Sequence, residues 1–65
     1  MNTSSQIASF PNVEFGITAL VTKISKGYCV TLFDDDAQLV VGDCTIYPFT
    51  MLDQAVTYAK KLANL

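Results

Sequence analysis

The stretch GYCVTLFDDDAQLVVGDCTIYPF, residues 27–49, decides the fold of this chain. It places two runs rich in β-branched and aromatic residues on either side of an acidic turn, a pattern typical of a hairpin within a sheet. Residues 16–25 (GITALVTKIS) have the composition of another strand, and a tight turn at Lys26 and Gly27 would join it to the hairpin. Pro48 ends the strand region because it cannot donate to a central ladder.

The residues after Pro48 predict one amphipathic helix. Thr50 is a favourable N-cap, and Asp53 would lie near the positive end of the helix dipole. Apolar residues then recur with helical spacing along one face, at Leu52, Ala55, Val56, Ala59 and Leu62. The sequence therefore predicts a small two-layer α+β domain, a three-stranded antiparallel β-meander followed by one C-terminal helix packed on one sheet face. Gly42 and Asp43 interrupt the third strand, which favours a bulge or bend there. Residues 44–47 either continue the same strand after it or form a short fourth one.

The N-terminal region divides into two parts. Residues 1–6 (MNTSSQ) are small and polar, so we expect a disordered tail. Residues 7–65 form a single domain that begins with an apolar arm, residues 7–15, extended around Pro11. The arm covers either the edge of its own sheet or that of a neighbouring subunit.

Side-chain alternation along the strands sorts the sheet into two faces. We predict two-residue and four-residue turns at residues 26–27 and 34–37, which set the pairing of the strands. Face one is nearly pure core and receives the helix; it carries Ala19, Val21, Tyr28, Val30, Leu32, Leu39 and Val41. Face two mixes apolar residues with polar ones; it carries Leu20, Ile24, Phe33 and Val40 among Thr18, Thr22, Thr31 and Gln38.

Composition indicates that the chain associates with a second chain. Of 65 residues, 51% are hydrophobic and only 15% are charged, against the usual quarter. A domain of this size buries only about 60% of the surface of its unfolded chain. We therefore expect a homo-oligomer, most simply a homodimer, with another protein as an alternative partner. The predicted interface consists of Leu20, Ile24, Thr31, Phe33 and Val40 on face two and Phe10 in the arm.

The sequence offers little chemistry of its own. It lacks histidine, and its four basic residues are all lysine, giving a net charge of -2. We predict no catalytic residues, no cofactor and no metal, and the charge argues against nucleic acid. The run Asp34, Asp35 and Asp36 lacks the alternation of a calcium loop, so we interpret it as a solvated turn. An acidic tip that engages a basic partner is the alternative.

Cys29 and Cys44 fall on neighbouring strands and on face two. We expect free structural thiols in a reducing compartment, with a disulfide as the alternative. No run approaches 18 apolar residues, and the N-terminus has no signal-peptide pattern, so we expect a cytoplasmic protein without membrane contact.

Two functional classes follow. The first is a non-enzymatic protein that acts through association with itself or with a partner protein. The second is a nucleic-acid-binding module. The strand order, together with G-Y-x-V-x-L at residues 27–32 and A-V-x-Y-A-K-K-L at residues 55–62, resembles the small three-stranded DNA-binding domains of the integrase-arm and plant AP2 types. That resemblance covers about residues 16–62. It implies DNA reading by the open sheet face, where this chain instead carries Leu20, Phe33, Val40 and threonines.

Overall fold

The computed structural model describes residues 5–64, with the side chains of Ser5 and Asp43 left out of the description. Four strands precede one helix, and a single 3-10 turn introduces that helix. The elements are β1 (Ser5–Asn12), β2 (Ile17–Ile24), β3 (Gly27–Asp34), β4 (Leu39–Tyr47), a 3-10 turn (Phe49–Met51) and α1 (Leu52–Ala63).

The strands form one antiparallel sheet in the order β1-β2-β3-β4, so the chain is a simple meander. This confirms the predicted small α+β domain. The extra strand comes from the apolar arm, which lies along β2 and covers the edge of its own sheet. The predicted disordered tail was wrong for Ser5 and Gln6, because both belong to β1 and pair with Lys23 and Thr22 of β2. Residues 1–4 of the predicted tail lie outside the described residues.

The predicted turn between β2 and β3 was wrong by one residue. Ile24 lies opposite Gly27, so Ser25 and Lys26 make the turn. Gly27 serves a different purpose from the one its sequence context suggests. Its φ is +147°, and a Cβ built on it would overlap the carbonyl oxygen of Tyr47. A glycine is required here because the end of β4 approaches the backbone of β3 closely.

The turn between β3 and β4 is also displaced by one residue, to residues 35–38, because Asp34 pairs with Leu39. The Asp34 carboxylate accepts the backbone N–H groups of Asp36 at 2.9 Å and Ala37 at 3.1 Å. This side-chain turn fixes the start of the loop. Each displaced turn changes the strand pairing by two residues, and a change of two leaves the strand side chains on their predicted faces. Gln38 is the exception: it was predicted on face two but lies in the turn, before β4 begins at Leu39.

A bulge interrupts β4 at Gly42, as the sequence predicts. Leu32 pairs with Val41 and Val30 with Thr45, so residues 42–44 lie opposite the single residue Thr31. Gly42 has a φ of +76°, a conformation in which glycine is favoured. The residues after the bulge continue the same strand up to Tyr47.

The core lies between face one and α1, which confirms the predicted side for the helix. The buried hydrophobic residues are small; they are Ala19, Val21, Val30, Ala55, Ala59 and Ala63. Alanines on the helix let its axis approach the sheet closely, and larger side chains such as Leu32, Leu52 and Leu62 seal the margins. The molecule measures only 17 Å along its shortest axis, consistent with two layers.

The start of the helix differs from its prediction. Thr50 lies within the 3-10 turn, and Met51 occupies the N-cap position with no side-chain hydrogen bond. The Met51 N–H instead donates to the Pro48 carbonyl at 2.9 Å, which tightens the entry into the helix. At the other end, the Asn12 side-chain amide donates to the Ala63 carbonyl and ties β1 to the helix terminus.

Candidate interaction surface

Face two is the side of the sheet opposite α1. The observed pairing places residues from all four strands on it. Its apolar members are Leu20, Ile24, Phe33, Val40 and Ile46, and its other members in β2, β3 and the paired part of β4 include Thr18, Thr22, Cys29 and Thr31. Face one is sealed by a helix, whereas face two of the described chain has no second layer.

The apolar side chains of face two remain partly exposed to solvent. Val40 is 52% exposed and Ile46 50% exposed, whereas Val21 and Val30 on face one are fully buried. Leu20, Ile24 and Phe33 are intermediate, because their only shelter comes from their neighbours on the same face. Partly exposed branched and aromatic side chains that form a contiguous patch on a sheet face are typical of an interaction surface.

One carboxylate, that of Asp35, borders face two at one end of the sheet, where it accepts the Thr18 hydroxyl. No residue with a described side chain at a face-two strand position is acidic or basic. Lys23 is the cationic residue within the described strands, and it pairs with Tyr28 on face one. Its ammonium group lies 5.8 Å from the centroid of the Phe49 ring. The surface therefore offers burial of apolar area and hydroxyl contacts, without ion pairs.

The structure brings five of the six predicted interface residues together. Leu20, Ile24, Thr31, Phe33 and Val40 all lie on face two. Phe10 lies elsewhere: it pairs with Ala19, packs against the core on face one, and has the Lys60 ammonium group 5.8 Å from its ring centroid. Phe10 faces the core because side chains alternate along β1. The sequence predicted an irregular arm here, without that alternation.

Ile46 is a face-two residue that the sequence analysis missed. It lies opposite Cys29 and is half exposed. The bulge at Gly42 is the reason for the omission, because the number of extra residues in a bulge decides which face the following side chains occupy. The sequence signals the bulge through Gly42 and leaves its length open.

Cys29 and Cys44 form a disulfide, which overturns the expectation of free thiols. Their Cα atoms are 6.2 Å apart, within the usual range for a bridge. The two residues meet because the bulge brings Cys44 back beside β3. Cys44 is exposed and Cys29 is half buried, so the bridge forms part of the accessible surface of face two.

The acidic turn has structural roles at one end of the sheet. The Thr18 hydroxyl donates to the Asp35 carboxylate at 3.0 Å, and Asp34 accepts the two N–H groups of its own turn. Two of the three carboxylates therefore stabilise the loop. Among the described residues, no group of three His, Cys, Asp or Glu side chains is placed to hold a metal ion.

A shallow groove of about 320 Å³ lies between the end of β4 and the polar side of α1. Its lining residues are Tyr47, Asp53, Gln54, Thr57, Tyr58 and Lys61. The Tyr47 and Tyr58 rings are 6.2 Å apart between centroids. Asp53, Thr57 and Lys61 lie on successive turns of α1, and the Thr57 hydroxyl donates to the backbone carbonyl of Asp53 at 2.8 Å, so this hydroxyl is engaged within the helix.

Comparison of the chain with protein families, with curated proteins and with solved structures finds no match. The resemblance to three-stranded DNA-binding domains therefore gains no support from these comparisons. Within the described residues, no helix is both long enough and apolar enough to cross a membrane.

Proposed function

We propose that this is a non-enzymatic protein that acts by association, and that it forms a homodimer by stacking face two of one copy on face two of another. The observation that carries the proposal is a partly exposed apolar sheet face with no charged residue at its described strand positions and no second layer within the described chain. Burial of that face would complete a sandwich in which each sheet is covered on both sides.

The size of face two suits a dimer. Strands of eight residues are about 26 Å long, and four strands span about 19 Å, which gives a face of roughly 500 Å². Two such faces would remove about 1,000 Å² from solvent, near the lower limit for a specific interface. We therefore expect association in the micromolar range, with contacts concentrated on Phe33 and the branched residues around it.

The distribution of charge favours a second copy over an oppositely charged partner. Two identical chains of net charge -2 repel each other at long range, but no described side chain at a face-two strand position is charged, and the Asp35 carboxylate borders the face only at one end, where it accepts the Thr18 hydroxyl. A face whose strand positions are uncharged can pack against itself without placing like charges at its centre. Threonine hydroxyls on both copies can hydrogen-bond across the interface or to trapped water.

Two adjacent residues of β4 provide a matched test. Val40 lies on face two and is 52% exposed, whereas Leu39 lies on the opposite face and is 51% exposed. We expect Val40→Lys to convert the dimer to a monomer, because the lysine of each copy would be buried in the interface without a partner of opposite charge. Leu39→Lys should keep the parent mass. Light scattering measures the mass, and circular dichroism checks that both variants fold.

Equal masses for the two folded variants would contradict the use of face two. If both variants stay dimeric, association occurs through another surface, such as the edge of β1 or β4. If the parent protein is monomeric and face two captures a different protein, the proposal of action by association stands. The partner is then that protein and not a second copy of this chain.

The nucleic-acid alternative has less support. The four lysines are dispersed: Lys23 on face one, Lys26 in a turn, and Lys60 and Lys61 on the helix. A DNA-reading sheet needs cationic groups around its open face. Salt-dependent binding of duplex DNA at micromolar protein would support this alternative, and absence of binding at low salt would remove it.

The proposed cytoplasmic location depends on the state of the two cysteines. Thiols in the cytosol are kept reduced, whereas a bridged Cys29–Cys44 pair fits an oxidising compartment. Alkylation of thiols in intact cells, followed by mass measurement of the protein, distinguishes the two states directly.

A further inference from the structure

We propose that Cys29 and Cys44 form a thiol-exchange site that regulates association: the bridged protein dimerises through face two, and reduction of the bridge weakens the dimer. This inference rests on the proposed function, because it concerns control of the same surface.

The position of the disulfide carries the inference. Cys29 lies on face two in β3, between Thr22 of β2 and Ile46 of β4. Cys44 is the last residue of the bulge, immediately before the ladder with β3 resumes at Thr45. The bridge thus connects β3 to β4 at the C-terminal end of the bulge. It lies within the surface that is proposed to contact the second copy.

The bulge makes this part of β4 dependent on the bridge. β4 is an edge strand that pairs only with β3, and the ladder is interrupted opposite Thr31. A Cβ added at Gly42 would meet no heavy atom within 4 Å, so the bulge has open space around it. After the bulge, only three pairs, those of residues 45–47, hold β4 to β3.

Loss of the bridge should therefore alter face two locally. Ile46 belongs to the segment that follows the bulge, and its place beside Cys29 depends on that segment remaining in register. A disulfide restricts the alternatives open to the chain that it joins. Without it, the segment after the bulge has alternative pairings, and a one-residue slip would turn Ile46 away from face two.

The exchange reaction balances with a dithiol as the reductant. Its thiolate attacks the Sγ atom of exposed Cys44, the S–S bond breaks, and Cys29 leaves as a thiolate that takes up a proton. The second thiolate of the dithiol then attacks the mixed disulfide and releases Cys44, which is protonated in turn. Two electrons pass to the protein, and the dithiol becomes a cyclic disulfide. A disulfide reagent reverses both steps.

Coupling between association and exchange works in both directions. If the bridged form dimerises more tightly, the dimer must hold its bridge more strongly than the monomer does. The same result follows kinetically, because a second copy on face two covers Cys44 and blocks the approach of a thiolate. Reduction should therefore slow as the dimer fraction rises.

Two measurements on the unaltered chain test the inference. Sedimentation equilibrium compares the bridged protein, the protein reduced with dithiothreitol, and the protein reoxidised with oxidised glutathione. We expect the dimer dissociation constant to rise about tenfold on reduction and to return on reoxidation. Second, the rate of reduction by excess dithiothreitol should fall with protein concentration in parallel with the dimer fraction.

The outcomes separate this inference from the proposed function. If the dimer dissociation constant is the same in both redox states and the reduction rate does not depend on protein concentration, redox regulation is contradicted. The proposed dimerisation is then unaffected. A monomer in every state would overturn both. The double variant Cys29→Ser/Cys44→Ser should behave as the reduced protein does and should not respond to dithiothreitol. A double variant as dimeric as the bridged parent would also contradict the inference.

Discussion

Gly27 illustrates how a single residue can serve a purpose that its local sequence conceals. In the sequence it follows Ser25 and Lys26, which makes it a natural turn residue. In the structure it is the first residue of β3, with a φ of +147°, and the carbonyl of Tyr47 occupies the space where a side chain would lie. The residue is therefore required by the approach of β4, a contact twenty residues further along the chain.

A pair of glycine substitutions separates conformation from contact. Gly27→Ala combines a positive φ with backbone overlap, so we expect it to lower the free energy of unfolding by about 3 kcal/mol or to prevent folding. Gly42→Ala has a positive φ of +76° with open space around it, and we expect a cost of about 1 kcal/mol. Urea denaturation measures both. Equal costs at the two positions would contradict the account of Gly27.

At the level of secondary structure, Asn12 connects β1 to α1. Its amide nitrogen donates to the carbonyl of Ala63 in the last turn of the helix, and its amide oxygen accepts the N–H of Phe15 at 3.2 Å. One side chain thus stabilises the turn after β1 and satisfies a helix-terminal carbonyl that has no partner within the helix.

Two substitutions at Asn12 show which of its bonds matters more. Asn12→Ala removes both, and we expect a loss of about 1 to 2 kcal/mol in the free energy of unfolding. Asn12→Asp keeps the acceptor for Phe15, removes the donor to Ala63, and adds a negative charge at the negative end of the helix dipole. If the bond to the helix dominates, the Asp variant is at least as destabilised as the Ala variant in urea denaturation. An Asp variant as stable as the parent would assign the stabilisation to the turn.

The strands and the helix could be predicted from the sequence because their patterns are local. Runs rich in β-branched and aromatic residues identified β2, β3 and the first part of β4, and helical spacing identified α1. Both turns were misplaced by one residue, yet the faces were correct, since a change of two in the pairing preserves alternation. The strand character of residues 7–12 could not be predicted, because Pro11 obscures its alternation. Pro11 is accommodated in β1 because that strand lies at the edge of the sheet.

For the whole molecule, composition was more informative than any motif. An apolar fraction of 51% in 65 residues indicated a surface that needs cover, and the structure places Leu20, Phe33 and Val40 together on face two. The sequence offered the disulfide only as the alternative to free thiols and left the face of Ile46 open, because both depend on the length of the bulge in β4, which the sequence does not reveal.

The solution mass of the bridged protein tests the central claim, self-association through face two, most directly. Light scattering from low micromolar to near-millimolar concentration, without reductant, should give a mass that rises to twice that of the 7.1 kDa chain and then stays constant. A closed dimer produces this plateau because the stacked faces leave no further copy of the surface exposed. A mass that remains at 7.1 kDa up to the highest concentration would contradict the account.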